Sequence, residues 1–253
     1  MKMIIVSFVI FLLASPVSVQ VGSPAQTTGQ PVQTAQDEAA VDAVEESVKP
    51  GINDSFLDPE LNVDDFVERF EVESREVFVA RERILAECGI EKGDFVADVG
   101  AGTGLFTRMF SVAAGDEGWV YAVDISARMI EHVNSEADRL ELNNVTGVLC
   151  SGDSVNLPPE SVDVVFICDT YHHFEFPAST MASINRALKP DGHVVVIDFE
   201  RIEGVTRQWL LGHVRAGKEV FRAEIEDAGF ELVEEKQISA LEENYFLVFR
   251  KRR

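Results

Sequence analysis

The stretch that most constrains the chain is Phe95-Val96-Ala97-Asp98-Val99 followed by Gly100-Ala101-Gly102-Thr103-Gly104-Leu105. Five mostly apolar residues with two valines read as a short buried strand. Three glycines at alternate positions let the backbone turn tightly and approach a ligand with no Cβ in the way. A helix over Leu105 to Ala114 completes a strand, glycine-rich loop, helix pattern. It is not the dinucleotide pattern G-x-G-x-x-G, because position 105 is Leu, and it is not a phosphate-binding loop, which needs Gly-Lys-Ser/Thr. Alone, such a loop also suits an ordinary strand-to-helix turn.

The flanking sequence repeats the alternation. A helix is expected over Asp64 to Gly89, with Phe66, Phe70, Val77, Ile84 and Leu85 at broadly helical spacing and Gly89 as its cap. Strands are expected at Trp119 to Val123, Val145 to Leu149, Val162 to Cys168 and His193 to Phe199. Helices are expected at Ser126 to Leu140 (Ser126 as N-cap), Ser179 to Leu188 and Lys218 to Ala228. Val- and Ile-rich strands alternating with helices mean βαβ units and a mostly parallel sheet. Phe230 to Ile238 and Tyr245 to Arg250 are separated by a short segment without a helix signal, so they pair as a hairpin and place an antiparallel strand in the sheet.

Three further pieces sit where ligands bind such sheets, beyond the carboxyl ends of the strands. Asp124 ends the second strand, 20 positions after Gly104, where a carboxylate can accept hydrogen bonds from both hydroxyls of a ribose. It also suits the start of a helix beside Ser126. Gly152-Asp153-Ser154 follows the third strand with an acid and a hydroxyl suited to an adenine amino group. Lys189-Pro190-Asp191-Gly192 reads as a turn between helix and strand.

In this order, and with Leu157-Pro158 and the run Val162-Asp163-Val164-Val165-Phe166 through His172-His173-Phe174, the chain resembles the class I S-adenosylmethionine-dependent methyltransferases over roughly residues 64–250. It is most similar to their small-molecule, type 11 and quinone-methyltransferase-like members. The resemblance implies a Rossmann-like, doubly wound α/β fold with a seven-stranded sheet in the order 3-2-1-4-5-7-6, the last strand antiparallel. It implies S-adenosylmethionine as cofactor. Gly100, Ala101, Gly102 and Gly104 would then lie against its methionyl part, with Asp98 positioning the amino group and Thr103 at a contact position. Asp124 would hold the ribose, with Ile125 and Met129 near the adenine and Asp153 and Ser154 at its edge. Cys168 would pass beneath the cofactor. Because the implied order separates the third and fourth strands, a Cys150–Cys168 disulfide is not expected.

Methyl transfer from a sulfonium is in-line displacement, so the protein mainly supplies alignment. A base is needed only where the acceptor must lose a proton. Asp169, Tyr171, His172 and His173 follow the fourth strand, and His172 and His173 are the candidate catalytic bases. Each also suits packing or capping. The segment His213 to Lys218 is a candidate acceptor wall, with Arg215 or Lys218 pairing an anionic group, and it also reads as a solvated loop. The helix at 64–89 is expected as a lid with Phe70, Arg75 and Val77 inward. No metal is expected, because adjacent His172 and His173 lack the spacing of a chelating pair. The three cysteines do not match the thiol set of arsenite methyltransferases, and no Asn-Pro-Pro-Tyr-type tetrapeptide follows the fourth strand. The competing reading is a non-catalytic nucleoside-binding module with the same fold. A nicotinamide dehydrogenase would require the other glycine spacing.

Charge bears on the acceptor. With 44 acidic against 22 basic residues the net charge is −22, which argues against nucleic acid or an anionic membrane as partner and favours a small molecule. Three cysteines exclude a disulfide scaffold. Met1 to Ala25 reads as a signal-peptide-like segment: a basic start, an apolar run from Ile4 to Ala14, and Ser23-Pro24-Ala25 as a cleavage site. That run is too short to span a membrane comfortably. Export to the periplasm or beyond is the expectation; a mis-assigned start or an uncleaved anchor would keep the domain in the cytoplasm. Residues 26–62 read as an acidic linker, and 63–253 as the folded domain.

Overall fold

The computed structural model describes residues 45–72 and 75–253, and the signal-like segment and residues 26–44 of the expected linker lie outside them. The elements are helices α1 Val63–Phe70, α2 Glu76–Val79, α3 Arg81–Glu87, α4 Leu105–Ala114, α5 Ala127–Arg139, α6 Pro177–Ala187, α7 Gln208–His213 and α8 Lys218–Asp227, with a 3-10 turn at Tyr171–His173. The strands are β1 Phe95–Val99, β2 Trp119–Asp124, β3 Val145–Leu149, β4 Val162–Cys168, β5 Leu188–Phe199, β6 Phe230–Lys236 and β7 Asn244–Lys251. They form one sheet in the order β3-β2-β1-β4-β5-β7-β6. The pairs from β3 through β5 are parallel, and β7 runs antiparallel to both β5 and β6. This is the expected Rossmann-like α/β sheet. Cys150 and Cys168 are free, on strands that are not neighbours.

The central strands are apolar throughout because both faces are covered. Ala97, Val165, Val194 and Leu247 point into one layer with Met181 and Ile184 of α6 and Phe221 and Ile225 of α8. Val96, Phe166, Val195 and Phe246 point into the other, with Ile84 of α3 and Phe106 and Phe110 of α4. Phe166 packs against both phenylalanines, with ring centroids 4.7 and 4.9 Å away. Ser126 caps α5, its side chain accepting from the Met129 amide.

Three expectations change. The single helix over 64–89 is instead α1, α2 and α3. Glu71 leaves the helix with φ −106° and ψ 55°, and Arg75 is extended. Tertiary bonds override the helical spacing: Glu71 accepts from Thr103 and Arg108 at 2.8 and 2.7 Å, and Arg75 pairs with Asp169. The turn at 189–192 lies inside β5, which begins with Leu188 opposite Val162 and passes an irregularity before His193 pairs Val164. Within the linker, residues 45–62 pack on the domain. Glu45 accepts the amides of Ala178 and Ser179 at 2.9 and 2.8 Å, capping α6, and Ser47 donates to Glu175 at 2.6 Å. Leu61 is buried with Val63 and Met129. An acidic side chain that looks like solvated linker thus serves as a cap. Among the described residues, no helix is long and apolar enough to cross a membrane.

Asn144, just before β3, fastens the end of α4. Its Nδ2 donates to the carbonyls of Ser111 and Gly115 at 3.1 and 3.0 Å, and its Oδ1 accepts from the Ser111 hydroxyl at 2.5 Å. Asn144→Ala strands these buried groups and should lower unfolding free energy by about 2–3 kcal/mol. Denaturant unfolding at neutral pH checks this.

Candidate functional site

A cavity of about 850 Å³ opens at the carboxyl ends of β1, β2, β4 and β5. That volume is within the range of small-molecule sites. One half is built by the glycine loop. Gly100, Gly102 and Gly104 all have positive φ, at +74°, +53° and +76°. At Gly100 a Cβ would stand 2.2 Å from Thr170 Cγ2, so no other residue fits unless Thr170 is displaced, and the positive φ would strain it besides. The Gly100 and Ala101 amides donate to the Val123 carbonyl at 2.8 and 3.1 Å, tying the loop to β2.

Asp124 completes that tie. Its Oδ2 accepts from the Gly102 amide at 2.9 Å and its Oδ1 from the Ser126 amide at 2.8 Å. Burial raises its pKa, and these amides oppose the rise. Each oxygen keeps a lone-pair direction for a ligand hydroxyl. Asp98 is more isolated: Thr107 Oγ1 donates to it at 2.6 Å, no cation among the described residues pairs with it, and burial pushes its carboxyl up to about 7.

Of the residues expected at the cofactor, Asp98, Gly100, Ala101, Gly102, Thr103, Asp124, Ile125, Ser154 and Cys168 line the cavity. Gly104, Met129 and Asp153 do not. Gly104 is the N-cap of α4 and faces Val133 of α5. Met129 is fully buried beneath Leu61 and Val63. Asp153 is exposed and accepts from Ser151 Oγ at 2.7 Å. The Thr103 hydroxyl is engaged by Glu71. Burial raises the thiols of Cys150, to about 12, and of Cys168, so both remain protonated. From the lid segment Phe70, Arg75 and Val77 reach the cavity as expected.

The other half of the cavity carries aromatic rings, Phe56, Phe66, Phe174, Phe199 and Trp209, and three histidines, His172, His173 and His213. His172 is held by Asp198 at the end of β5: its amide donates to Oδ2 at 3.0 Å and its Nδ1 lies 2.8 Å from Oδ1. The carboxylate accepts, so Nδ1 carries the proton and Nε2 is the free nitrogen. Burial, with His172, His213 and Lys49 nearby, pushes His173 down to about 2. Burial also lowers His213. Both rings are neutral at pH 7.

Asp169 lies in the left-handed region at φ +49° and accepts from Arg75 and, at 2.6 Å, from Asn244. Burial raises it to about 6. Tyr171 is turned into the core against Phe174 and Phe221, so it is removed from the acceptor candidates. Arg215 and Lys218 are also spent: Arg215 forms a two-pronged pair with Glu224 at 2.8 and 2.6 Å, and Lys218 pairs with Glu200 and Glu235. An anionic acceptor therefore finds neither.

Sequence reasoning singled out neither Asp198 nor Trp209, and it named His213 only as the start of a candidate acceptor wall, where the cavity lining includes it. An acid ending a strand, as in Val196-Ile197-Asp198, was a usable signal of the kind read at Asp124. Helix α7, six residues long with a glycine, carries too little periodicity to read. The expectation of no metal cluster also changes. His172 and His173 are adjacent, but α7 brings His213 to them, and one ring nitrogen from each of the three lies within 4.8 Å of the others.

Residues 97–196 match the family model described as a methyltransferase domain. A ubiquinone/menaquinone biosynthesis C-methyltransferase of Burkholderia mallei is 31% identical over 120 residues, which cover 47% of this chain and 48% of that protein. The chain thus spans about half the length of the curated relatives it matches. A SAM-dependent methyltransferase from Aquifex aeolicus superposes with TM-score 0.66 at 24% identity, covering 74% of this chain and 97% of that one. The PH0226 protein from Pyrococcus horikoshii gives 0.60 at 19% identity, covering 74% and 99%. These likenesses establish the fold, and S-adenosylmethionine is the methyl donor named for the Aquifex protein.

The cavity fits that cofactor. The loop leaves its backbone open to a ligand, Asp124 offers oxygens to a ribose, and Asp98 lacks the cation that an amino group would supply. Cofactor affinity should therefore rise about tenfold between pH 5.5 and 7 as Asp98 ionises, and Asp98→Asn should flatten that rise, as read by calorimetry. A carboxyl whose pKa is raised on folding stabilises the fold at low pH and loses that contribution as pH climbs through its folded value. The same substitution should accordingly raise the melting temperature at pH 8.

Proposed function

We propose that this chain, a class I S-adenosylmethionine-dependent methyltransferase by fold and by the family match of residues 97–196, methylates a small aromatic acceptor with an ionisable hydroxyl. The observation that carries the reading is the division of one cavity into a glycine-loop and carboxylate half and an aromatic and imidazole half. Bound cofactor supplies a methyl group already activated on a sulfonium. The chain's own residues provide alignment and a sink for the acceptor's proton.

Asp98, Gly100, Gly102 and Asp124 line the loop side of the cavity and would hold the cofactor there. Phe56, Phe66 and Trp209 present ring faces and edges to a flat apolar acceptor. The neutral rings of His173 and His213, with Arg75, Arg207, Arg215 and Lys218 each committed to a carboxylate and Arg69 lying over the Phe66 ring, favour an uncharged acceptor over an anionic one. His172 Nε2, fixed by Asp198, is the base that takes the hydroxyl proton, in the arrangement by which a buried carboxylate orients an imidazole. His173, between Phe56 and the other two rings, shapes the pocket beside it. The signal-like leader supports a location outside the cytoplasm as part of this reading, and sequencing the N-terminus of the mature protein tests it.

Calorimetric titration of the full chain with S-adenosylmethionine tests the function. Micromolar-range binding is expected, and Asp124→Ala should weaken it at least about tenfold, since it removes the ribose acceptor and the Gly102 tie. No binding by the parent sinks the proposal. With a panel of phenols, His172→Gln should cut kcat by about 100-fold while leaving cofactor affinity unchanged. An unchanged kcat would remove His172 as base.

A further inference from the structure

We propose that His172, His173 and His213 form a binding site for a divalent first-row transition metal, zinc by best match, in the acceptor half of the cavity. One nitrogen from each ring already lies within 4.8 Å of the other two. Metal–nitrogen bonds of about 2.0–2.1 Å in a tetrahedral site set ligating atoms about 3.3 Å apart, so side-chain adjustments of up to about 1.5 Å complete the set. Three imidazoles with no ligating carboxylate suit zinc, copper, nickel or iron, and not magnesium or calcium.

Independent features support a built site. Asp198 bonds His172 Nδ1 at 2.8 Å, the carboxylate–histidine pairing that orients a metal ligand, and it is fully buried. His173 Nδ1 is buried with no hydrogen-bond partner among the described residues. The backbone beneath the rings is fastened on both sides. Asn53 donates to the His173 carbonyl at 3.0 Å, and Arg201 donates to the carbonyls of Leu211 and Val214 at 3.2 and 3.1 Å, around α7. The neighbouring charges include Asp198 and Asp169, which favour a cation, and Lys49, which opposes one and is bonded to the carbonyls of Gly212 and His213.

Three protein ligands leave a coordination position open, the pattern of a catalytic metal centre, and all three histidines line the cavity. Resting on the function proposed above, the acceptor hydroxyl fills that position. Its O–H bond breaks, its oxygen bonds the metal, and the proton passes to bulk water. In the metal-loaded protein this replaces proton removal by His172, whose free nitrogen is then a ligand.

The test uses the untagged full chain, stripped with a chelator and titrated with Co²⁺ while its visible absorption is followed. One Co²⁺ per chain with the intense bands of a tetrahedral site is expected, displaced by Zn²⁺. His213→Ala and His173→Ala should each weaken binding at least about tenfold, and Asp198→Asn by about 10–100-fold. His132→Ala, on α5 and outside the cavity, should leave it unchanged. Circular dichroism checks each variant, and His213→Gln serves if the alanine form does not fold. No binding at micromolar Co²⁺, only weak octahedral bands, or binding indifferent to His213 overturns the site. Titrating the same samples with S-adenosylmethionine separates the two proposals. Metal bound without cofactor leaves this site standing and removes the function above; cofactor bound without metal does the reverse. A phenol that fails to shift the Co²⁺ bands removes acceptor ligation.

Discussion

Three buried carboxylates and a fourth, Asp169, that is largely covered stand at the carboxyl ends of four neighbouring strands, and the functional end of the molecule is organised by how each is satisfied. Asp124 ends β2, Asp98 sits at the end of β1, Asp169 follows β4 and Asp198 lies at the end of β5. Burying a carboxylate without a partner is costly, so each one recruits a different part of the chain. Asp124 takes two backbone amides and thereby sets the glycine loop. Asp169 takes Arg75 and Asn244 and pulls the lid segment against β7. Asp198 takes His172 and fixes the 3-10 turn. Asp98 is supported by Thr107 alone, through its hydroxyl and backbone, with no ion-pair partner among the described residues, and is left with a demand for positive charge at the cofactor end.

This arrangement explains what could be read in advance. The strand order and the loop were legible because apolar runs, glycines and strand-ending acids are local signals. Gly100 is the clearest case, since its positive φ follows from the tight turn that the sequence announces, although the press of Thr170 on it comes from the pairing of β1 with β4. The acceptor half was far less legible. His213 joins His172 across about forty residues, on a helix too short to show a period. The break in the lid at Glu71 and Arg75 arises from partners on α4 and after β4, which no local pattern contains. Gly104 and Met129 illustrate the opposite error. They stand within the motif, yet the loop's turn sends one toward Val133 and packing sends the other under the N-terminal segment.

The two halves of the cavity differ in kind. The loop half depends on backbone amides, which mutation barely alters, and on two acids. The acceptor half depends on side chains from the 45–62 segment, the 3-10 turn and α7, which are joined by few strand hydrogen bonds. A chain of this fold can therefore change its acceptor by altering the second set while leaving the first intact.

The cap that Glu45 places on α6 has a practical meaning for anyone trimming the protein. A boundary drawn from hydropathy at residue 62 would remove that cap, the Asn53 brace under His173, the Phe56 wall and the cover over Met129. The result would be a domain with its sheet intact and its acceptor half unframed. A fragment that keeps the α6 cap as well as the pocket begins no later than Glu45, in a stretch whose composition advertises dispensability.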